Sequence, residues 1–181
     1  NGGGEAITAA HAALAARDYR TAATCFAAAI ALRHDDADAH LGLGLTCARQ
    51  DMDEDAADSF QMAAHFAPDR AEPHYRLALL AQKSGDLAAA LSHAGRALDL
   101  RADYADAHNL FGACALAAGD SRRAAESFAR AVELMPENAR FHSNLGYVLL
   151  RDLGDFERGA AHLETALQLD GGDIAIRCNY C

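Results

Sequence analysis

Four histidines at a fixed spacing are the side chains in this chain best suited to bind a metal ion. They are His40, His74, His108 and His142, each 34 residues after the last. A zinc site usually needs four ligands at about 2.0–2.1 Å, whereas equivalent helices of a packed repeat lie about 8–10 Å apart. We therefore predict that these histidines fill a packing position with one ring nitrogen hydrogen-bonded, and that the chain holds no metal ion, haem or other cofactor.

The cysteines offer a second kind of chemistry. The odd number of five, spread along the chain, does not form a disulfide framework, and it favours a reduced, cytoplasmic setting. Cys47 and Cys114 are interpreted as small packing residues. Cys178-x-x-Cys181 has the spacing of redox and metal-binding pairs but has no second pair, so a metal or redox role of these two residues is kept as an alternative function.

Charge and residue distribution exclude several classes of protein. A net charge of −10 with scattered arginines provides no basic stripe for a nucleic acid, and there is no apolar run for a membrane. The acidic clusters at 35–38 and 51–55 are typical of helix caps and lack the spacing of a calcium loop. No nucleophile, base and orienting group converge, so we predict no catalytic residues and no enzymatic activity in this segment.

Other residue types recur with the same spacing as the histidines. This shared period defines the structural unit that positions the histidines and cysteines. Small residues lie four positions after each histidine, and further columns of alanine and of bulky apolar residues share the period. The columns are Gly44, Ala78, Gly112 and Gly146; Ala56, Ala90 and Ala124; Ala29, Ala63, Ala97, Ala131 and Ala166; and Phe26, Phe60, Ala94, Phe128 and Leu163. Ala166 and Leu163 keep the period after a one-residue insertion near Leu153. The chain is therefore one small unit repeated.

Each unit predicts two helices. It divides into two amphipathic runs of about thirteen residues, rich in good helix formers. The break between the runs combines a residue for a left-handed helix end with a cap for the next helix, as in Gly119-Asp120. A second break contains Pro68 or Pro136, where a helix does not easily continue. Because one helix pair cannot bury its apolar face alone, neighbouring pairs must stack.

At these residues the sequence resembles the tetratricopeptide repeat family. The fourth repeat matches most fully, as His108-x2-Phe111-Gly112, Gly119-Asp120, Ala124-x3-Phe128, Ala131 and Pro136. It departs from the family pattern at Ala115, which replaces an aromatic residue, and at the histidine column, where Trp or Leu is usual. The resemblance implies an all-α fold, a right-handed α-solenoid of stacked antiparallel helix pairs that form a superhelix.

The period sets the expected boundaries. We place repeats at 3–36, 37–70, 71–104, 105–138 and 139–173, so the array covers 5–173. Residues 1–4 are expected to be a linker or a remnant of cloning, and 174–181 to open a truncated sixth repeat. A repeat array normally ends in a solvating helix. None is visible at this end, so we expect the natural protein to continue.

The resemblance implies that the first helices of the repeats line a concave groove for a peptide or a partner's helix. The residues at the family's groove-facing positions are Leu41, Leu45, Arg49, Tyr75, Arg76, Leu79, Gln82, Lys83, Asn109, Leu116, Asn144, Tyr147, Leu150 and Arg151.

Three cations of that set recur at one repeat position, which bears on the charge of the ligand. Arg49, Lys83 and Arg151 are equivalent, and they either complement the dipole at the end of a first helix or also bind a carboxylate or acidic peptide. Some family members clamp the terminal carboxylate of heat-shock chaperones with a set of Lys, Asn and Arg residues from three repeats. This chain lacks that set.

These observations predict a bacterial, cytoplasmic scaffold for protein–protein interaction, although an upstream targeting signal stays open. Fifteen arginines against the single Lys83, with abundant alanine, are typical of a GC-rich bacterial genome. The partner is expected to be a protein or peptide, with acidic or carboxylate groups as an option. One alternative is a repeat domain of a larger enzyme, such as a glycosyltransferase, with its catalytic module beyond Cys181. Self-association through the uncapped C-terminal end is a further alternative.

Overall fold

A computed structural model describes residues 2–170, and this part of the chain contains ten α-helices and no strand. The all-α prediction is confirmed. The helices are α1 Gly2–Ala15, α2 Tyr19–Leu32, α3 Ala37–Ala48, α4 Asp53–Phe66, α5 Ala71–Ser84, α6 Leu87–Leu100, α7 Ala105–Ala117, α8 Ser121–Leu134, α9 Ala139–Arg151 and α10 Phe156–Leu169.

The chain divides into two compact units, residues 1–80 and 81–181. In the first unit α1 packs on α2, α2 on α3, and α3 on α4. In the second unit α6 packs on α7, and the pairs α7–α8, α8–α9 and α9–α10 follow in the same way. Each unit is thus a row of antiparallel helices in sequence order. None of the helices between residues 2 and 170 has both the length and the apolar character needed to span a bilayer.

The turns inside the helix pairs use one backbone conformation, and four of the five use one type of cap. The exception is α4, whose N-cap Met52 makes no side-chain hydrogen bond. Asp120 accepts a hydrogen bond from the backbone nitrogen of Arg123 at 3.0 Å, and Asp18, Asp86 and Asp155 cap their helices in the same way. The preceding residue has a positive φ, which glycine adopts without steric cost. Gly85, Gly119 and Gly154 fill that position in three turns, but Arg17 (φ 61°) and Asp51 (φ 58°) fill it in the other two.

The first residues of the chain differ from the prediction. Gly2, Gly3 and Gly4 were expected to form a linker, but they form the first turn of α1. The Thr8 hydroxyl donates to the Gly4 carbonyl at 2.9 Å inside this turn. Glycine is a poor helix former because it loses the most backbone freedom. The helix that begins in better helix formers downstream extends through it nonetheless, since each added residue forms one more backbone hydrogen bond.

The aligned small residues let the two helices of a pair approach closely. An added Cβ on Gly112 would lie 2.8 Å from the Phe128 ring and 3.2 Å from the Ala124 carbonyl oxygen. Gly44 has the same relation to the Phe60 ring, at 2.6 Å. Phe60 and Phe128 are almost fully buried. The glycine of each first helix therefore makes the space that the aromatic ring of its second helix fills.

The first helix pair solves the same packing problem in another way. Its first helix carries Ala10 at the glycine position, and its aromatic residue is Phe26. An added Cβ on Gly42, in the next pair, would lie 2.2 Å from the Phe26 ring. This ring also meets His11 edge to face, with centroids 5.2 Å apart. Phe26 thus packs against α3, which explains a glycine at position 42 that the period does not require.

The histidine column holds the turns between repeats. Nε2 of His40, His108 and His142 donates to the carbonyl oxygen six residues earlier, at 2.9, 3.0 and 2.9 Å. His40 and His142 are buried, whereas His74 and His108 are half-buried. Three of the four histidines thus confirm the expected packing position with one hydrogen-bonded nitrogen.

His142 also pairs with a histidine of the neighbouring helix. Its Nδ1 lies 3.0 Å from Nδ1 of His162. Because Nε2 of His142 donates to Pro136, Nδ1 of the neutral ring must accept, and His162 must donate. Burial lowers the pKa of His162, and the neighbouring His142 and Arg158 lower that pKa further. The α9–α10 contact therefore prefers a neutral imidazole at His162.

The close approach in the fourth pair predicts a strong dependence on the size of residue 112. We expect Gly112→Ala to lower the free energy of unfolding by about 1–3 kcal/mol, because the new methyl group overlaps the Phe128 ring. The cost should be much smaller in a Phe128→Ala background, and thermal unfolding of the four proteins measures this coupling. Gly95→Ala is the control, since its Cβ would meet Phe111 at an ordinary 3.8 Å. If Gly112→Ala lowered the free energy of unfolding equally with and without the Phe128 ring, the ring would not be what limits the size of residue 112.

The glycines of α1 predict a gain in stability. Nothing lies within 4 Å of an added Cβ at Gly3 or Gly4, and both are helical. Gly3→Ala and Gly4→Ala should each stabilise by about 0.5–1 kcal/mol through helix propensity. Gly119→Ala has equally open space, but its φ is +86°, so it should destabilise. Destabilisation at Gly3 and Gly4 as well as at Gly119 would show that this first turn is not helical.

The His142–His162 pair predicts a sensitivity to acid. The folded pKa of His162 lies below the unfolded value of about 6.5, so the stability that it contributes is present above pH ~6.5. That stability is lost as the pH falls through 6.5 towards the folded pKa. His162→Gln removes the titration, and its melting temperature should fall less between pH 7.5 and 5.5 than that of the wild type. Parallel falls in both proteins would contradict this role.

Candidate functional site

The first helices of neighbouring repeats meet in each unit, so their outward side chains share one face. α1 contacts α3 in the first unit, and α7 contacts α9 in the second. We call these faces the first-helix surfaces. One of the residues expected there lies in the interior instead. Leu41 is 5% exposed in the core around Phe60. Leu150 is half-buried, and its backbone nitrogen and Cβ lie against Gly159 of α10.

In the first unit, part of this surface is a cavity of about 390 Å³. Leu45, Arg49 and Arg76 line it, and Leu45 also contacts the core. The Arg76 guanidinium donates to the Glu72 carboxylate at 3.0 Å and lies 5.5 Å from the centre of the Tyr75 ring. Tyr75 and Leu79 are half-buried on the same helix.

In the second unit, the first-helix surface carries a hydrogen-bonded pair of asparagines. Nδ2 of Asn144 donates to Oδ1 of Asn109 at 2.7 Å, which joins α9 to α7. Arg151 donates to the Tyr147 hydroxyl, and its guanidinium lies 5.2 Å from the centre of that ring. Leu116 is half-buried against the core. Gln82 is half-buried and Lys83 exposed at the end of α5.

The sequence prediction missed three polar side chains of the cavity. His11, Arg17 and Tyr19 line it together with Arg49 and Arg76. His11 lies on α1, Arg17 in the turn, and Tyr19 at the start of α2, so only the packing of the pair brings them to α3 and α5. A signal was available for Arg17, because the period places it where three other turns have glycine.

Two of the cysteines in the described part of the chain, Cys47 and Cys114, are buried. Burial raises the pKa of the Cys47 and Cys114 thiols, with a further contribution from Asp55 at Cys47, so neither is an activated nucleophile. Between residues 2 and 170, no group of three or more His, Cys, Asp or Glu side chains is arranged to hold a metal ion. Cys178 and Cys181, like the start of a sixth repeat at 174–181, lie outside the described residues.

Comparison with solved structures finds the same fold in several bacterial proteins. PilF of Pseudomonas aeruginosa matches with a TM-score of 0.89 and 13% identity, over 98% of this chain and 81% of that one. MamA of Desulfovibrio magneticus RS-1 matches with a TM-score of 0.82 and 18% identity, over 96% and 98%. YrrB, described as a TPR protein with an unusual peptide-binding site, matches with a TM-score of 0.76 and 22% identity, over 96% and 89%.

Sequence comparison identifies the repeat itself. No curated protein matches this chain in sequence. The model of the tetratricopeptide repeat matches residues 7–71 and 115–174, which is more than half of the chain. The first matched segment contains the close contact of Gly44 with Phe60, and the second contains that of Gly146 with Leu163. The chain belongs to the tetratricopeptide repeat family.

Proposed function

We propose that this protein is an interaction scaffold that binds a peptide segment of a partner protein on its first-helix surfaces, the faces expected to line the family's concave groove. The observation that carries this proposal is the Asn109–Asn144 pair, which offers polar groups across two neighbouring first helices. Peptide binding of this kind needs no catalytic group.

The geometry of the asparagine pair supports recognition of a peptide backbone. The hydrogen bond between the two side chains uses Oδ1 of Asn109 and one hydrogen of Asn144 Nδ2. The Asn109 amide hydrogens and the Asn144 carbonyl oxygen have no further partner among residues 2–170. A side-chain amide provides both a donor and an acceptor, which matches the alternating groups of an extended peptide.

The side chains around the pair support a protein ligand. Tyr147 is half-buried, and Arg151 lies over its ring, so the two form an amphipathic patch next to Asn144. Tyrosine and arginine are enriched where proteins bind one another. The fold of YrrB, a protein described as having a peptide-binding site, adds support by analogy only.

The alternative functions gain no support from the described residues. A metal or redox role would involve Cys178 and Cys181, and self-association was expected at the same end, outside residues 2–170. The glycosyltransferase alternative concerns sequence beyond residue 181. The expected preference for acidic partners remains part of the proposal and rests on the cations of the first unit.

The proposal predicts where a selected peptide binds. Peptides selected from a random display library against the whole chain should perturb the amide NMR signals of α7 and α9. Asn144→Ala should weaken their binding about tenfold, because the loss of a hydrogen bond in a desolvated contact costs about 1–1.5 kcal/mol. Fluorescence polarisation with labelled peptide measures the change.

The control for this experiment lies on the opposite side of the helix pair. Glu126→Ala changes an exposed residue of α8 and should leave the affinity unchanged. Circular dichroism should show the same helicity in both variants. Selected peptides that perturb α8 and α10, or that bind Asn144→Ala as tightly as the wild type, would overturn the proposed surface.

A further inference from the structure

The cavity of the first unit has an unusual charge for an acidic protein. The chain carries a net charge of −10, yet three arginines, Arg17, Arg49 and Arg76, are among the residues that line this one space. No aspartate or glutamate is among the residues that line it. His11 and Tyr19 add two further polar groups. An anion entering this cavity would therefore meet only donors and neutral groups.

The ion pairs of the first unit leave most of this positive charge uncompensated. Glu72 pairs with Arg76 at 3.0 Å, with about a third of each side chain exposed. Among residues 2–170, neither Arg17 nor Arg49 has a carboxylate within ion-pair distance. Nε of Arg76 is buried and has no hydrogen-bond partner among these residues. A buried donor without a partner is costly unless a ligand accepts from it.

The position of Arg17 is a second, independent sign of function. Its φ of 61° lies in the left-handed region, where a side chain costs stability. Gly85, Gly119 and Gly154 occupy the equivalent turns. Asp51 shares the conformation, but aspartate tolerates it better than arginine does. Strain of this kind is concentrated at functional sites. Here it places a third cation in the cavity.

We propose that this cavity binds a phosphate monoester, carried on a serine or threonine side chain of the peptide ligand, and that Arg17, Arg49 and Arg76 are its ligands. The three arginines carry three positive charges, and Glu72 compensates one of them, so the net charge is about +2. A phosphate monoester carries a charge of about −1.5 to −2 at pH 7 and three acceptor oxygens, whereas a carboxylate carries one charge and two oxygens. The charge and the number of donors favour the phosphate.

This inference rests on the proposed peptide-binding function and adds a ligand class to it. The probes are three peptide libraries with a central phosphoserine, glutamate or serine and otherwise the same random positions. The whole chain should bind the phosphoserine library about tenfold more tightly than the glutamate library, and more tightly still than the serine library. Inorganic phosphate should compete, whereas acetate at the same ionic strength should not.

Arg17→Gly separates binding from folding. Glycine relieves the left-handed strain, so the melting temperature should stay the same or rise, while phosphopeptide affinity should fall about tenfold or more. Arg49→Gln should weaken binding to a similar degree. Arg122→Gln, at an exposed position of α8, is the matched charge control and should retain the wild-type affinity. Asp51→Gly relieves the same strain in the next repeat and should not weaken binding.

The outcomes distinguish the two proposals. Equal affinity for the phosphoserine and glutamate libraries, or full affinity in Arg17→Gly, would overturn the phosphate site. If inorganic phosphate competes and the phosphopeptides bind no more tightly than inorganic phosphate does, the site would be assigned to a small phosphorylated molecule. That result would overturn the proposal that a peptide carries the phosphate. A third outcome is that Asn144→Ala lowers peptide affinity while the wild type binds phosphorylated and unphosphorylated peptides equally. In that case the scaffold function stands and this inference fails. If no peptide of any library binds, the scaffold function itself fails.

Discussion

A glycine on one helix and an aromatic ring on the next set the distance within a helix pair, and the rest of the arrangement follows from that distance. At Gly44 and Gly112 the ring lies where a Cβ would be. A larger residue on the first helix would need a smaller one on the second, because both occupy the same space within the pair. The constraint therefore acts on the combined volume of the two side chains.

This packing uses one edge of each first helix and leaves another edge exposed. The small residues face the second helix of the pair, while the column histidine binds the carbonyl of the preceding turn, as His108 binds Ala102. Neither the glycine edge nor the histidine is available to a ligand. Exposed side chains such as Arg49 take no part in this packing, so their chemistry is not restricted by it. The scaffold can thus keep its fold while its surface varies.

The repeat period predicted most of the fold, because each column reports a packing requirement that recurs in every pair. It predicted the helix pairs, the aspartate caps such as Asp120, and the buried alanines. It failed where a residue interacts beyond its own repeat. Phe26 turns to Gly42 of the next pair, and Leu41 faces the core, although the resemblance placed it in the groove. The glycine composition of residues 2–4 favours a linker, but these residues are helical because the extension of an existing helix is cooperative.

The candidate site was less predictable, and Arg17 shows why. The groove residues were inferred from positions on first helices, but the cavity also draws on a turn and on the start of a second helix. An arginine with positive φ costs about 1–2 kcal/mol relative to glycine, a large share of the few kcal/mol that stabilise a domain. Among residues 2–170 its side chain gains no ion pair in return. Arg17 is strained and exposed, which agrees with the proposal that a ligand supplies the missing interaction, and the arginines around it favour an anion as that ligand.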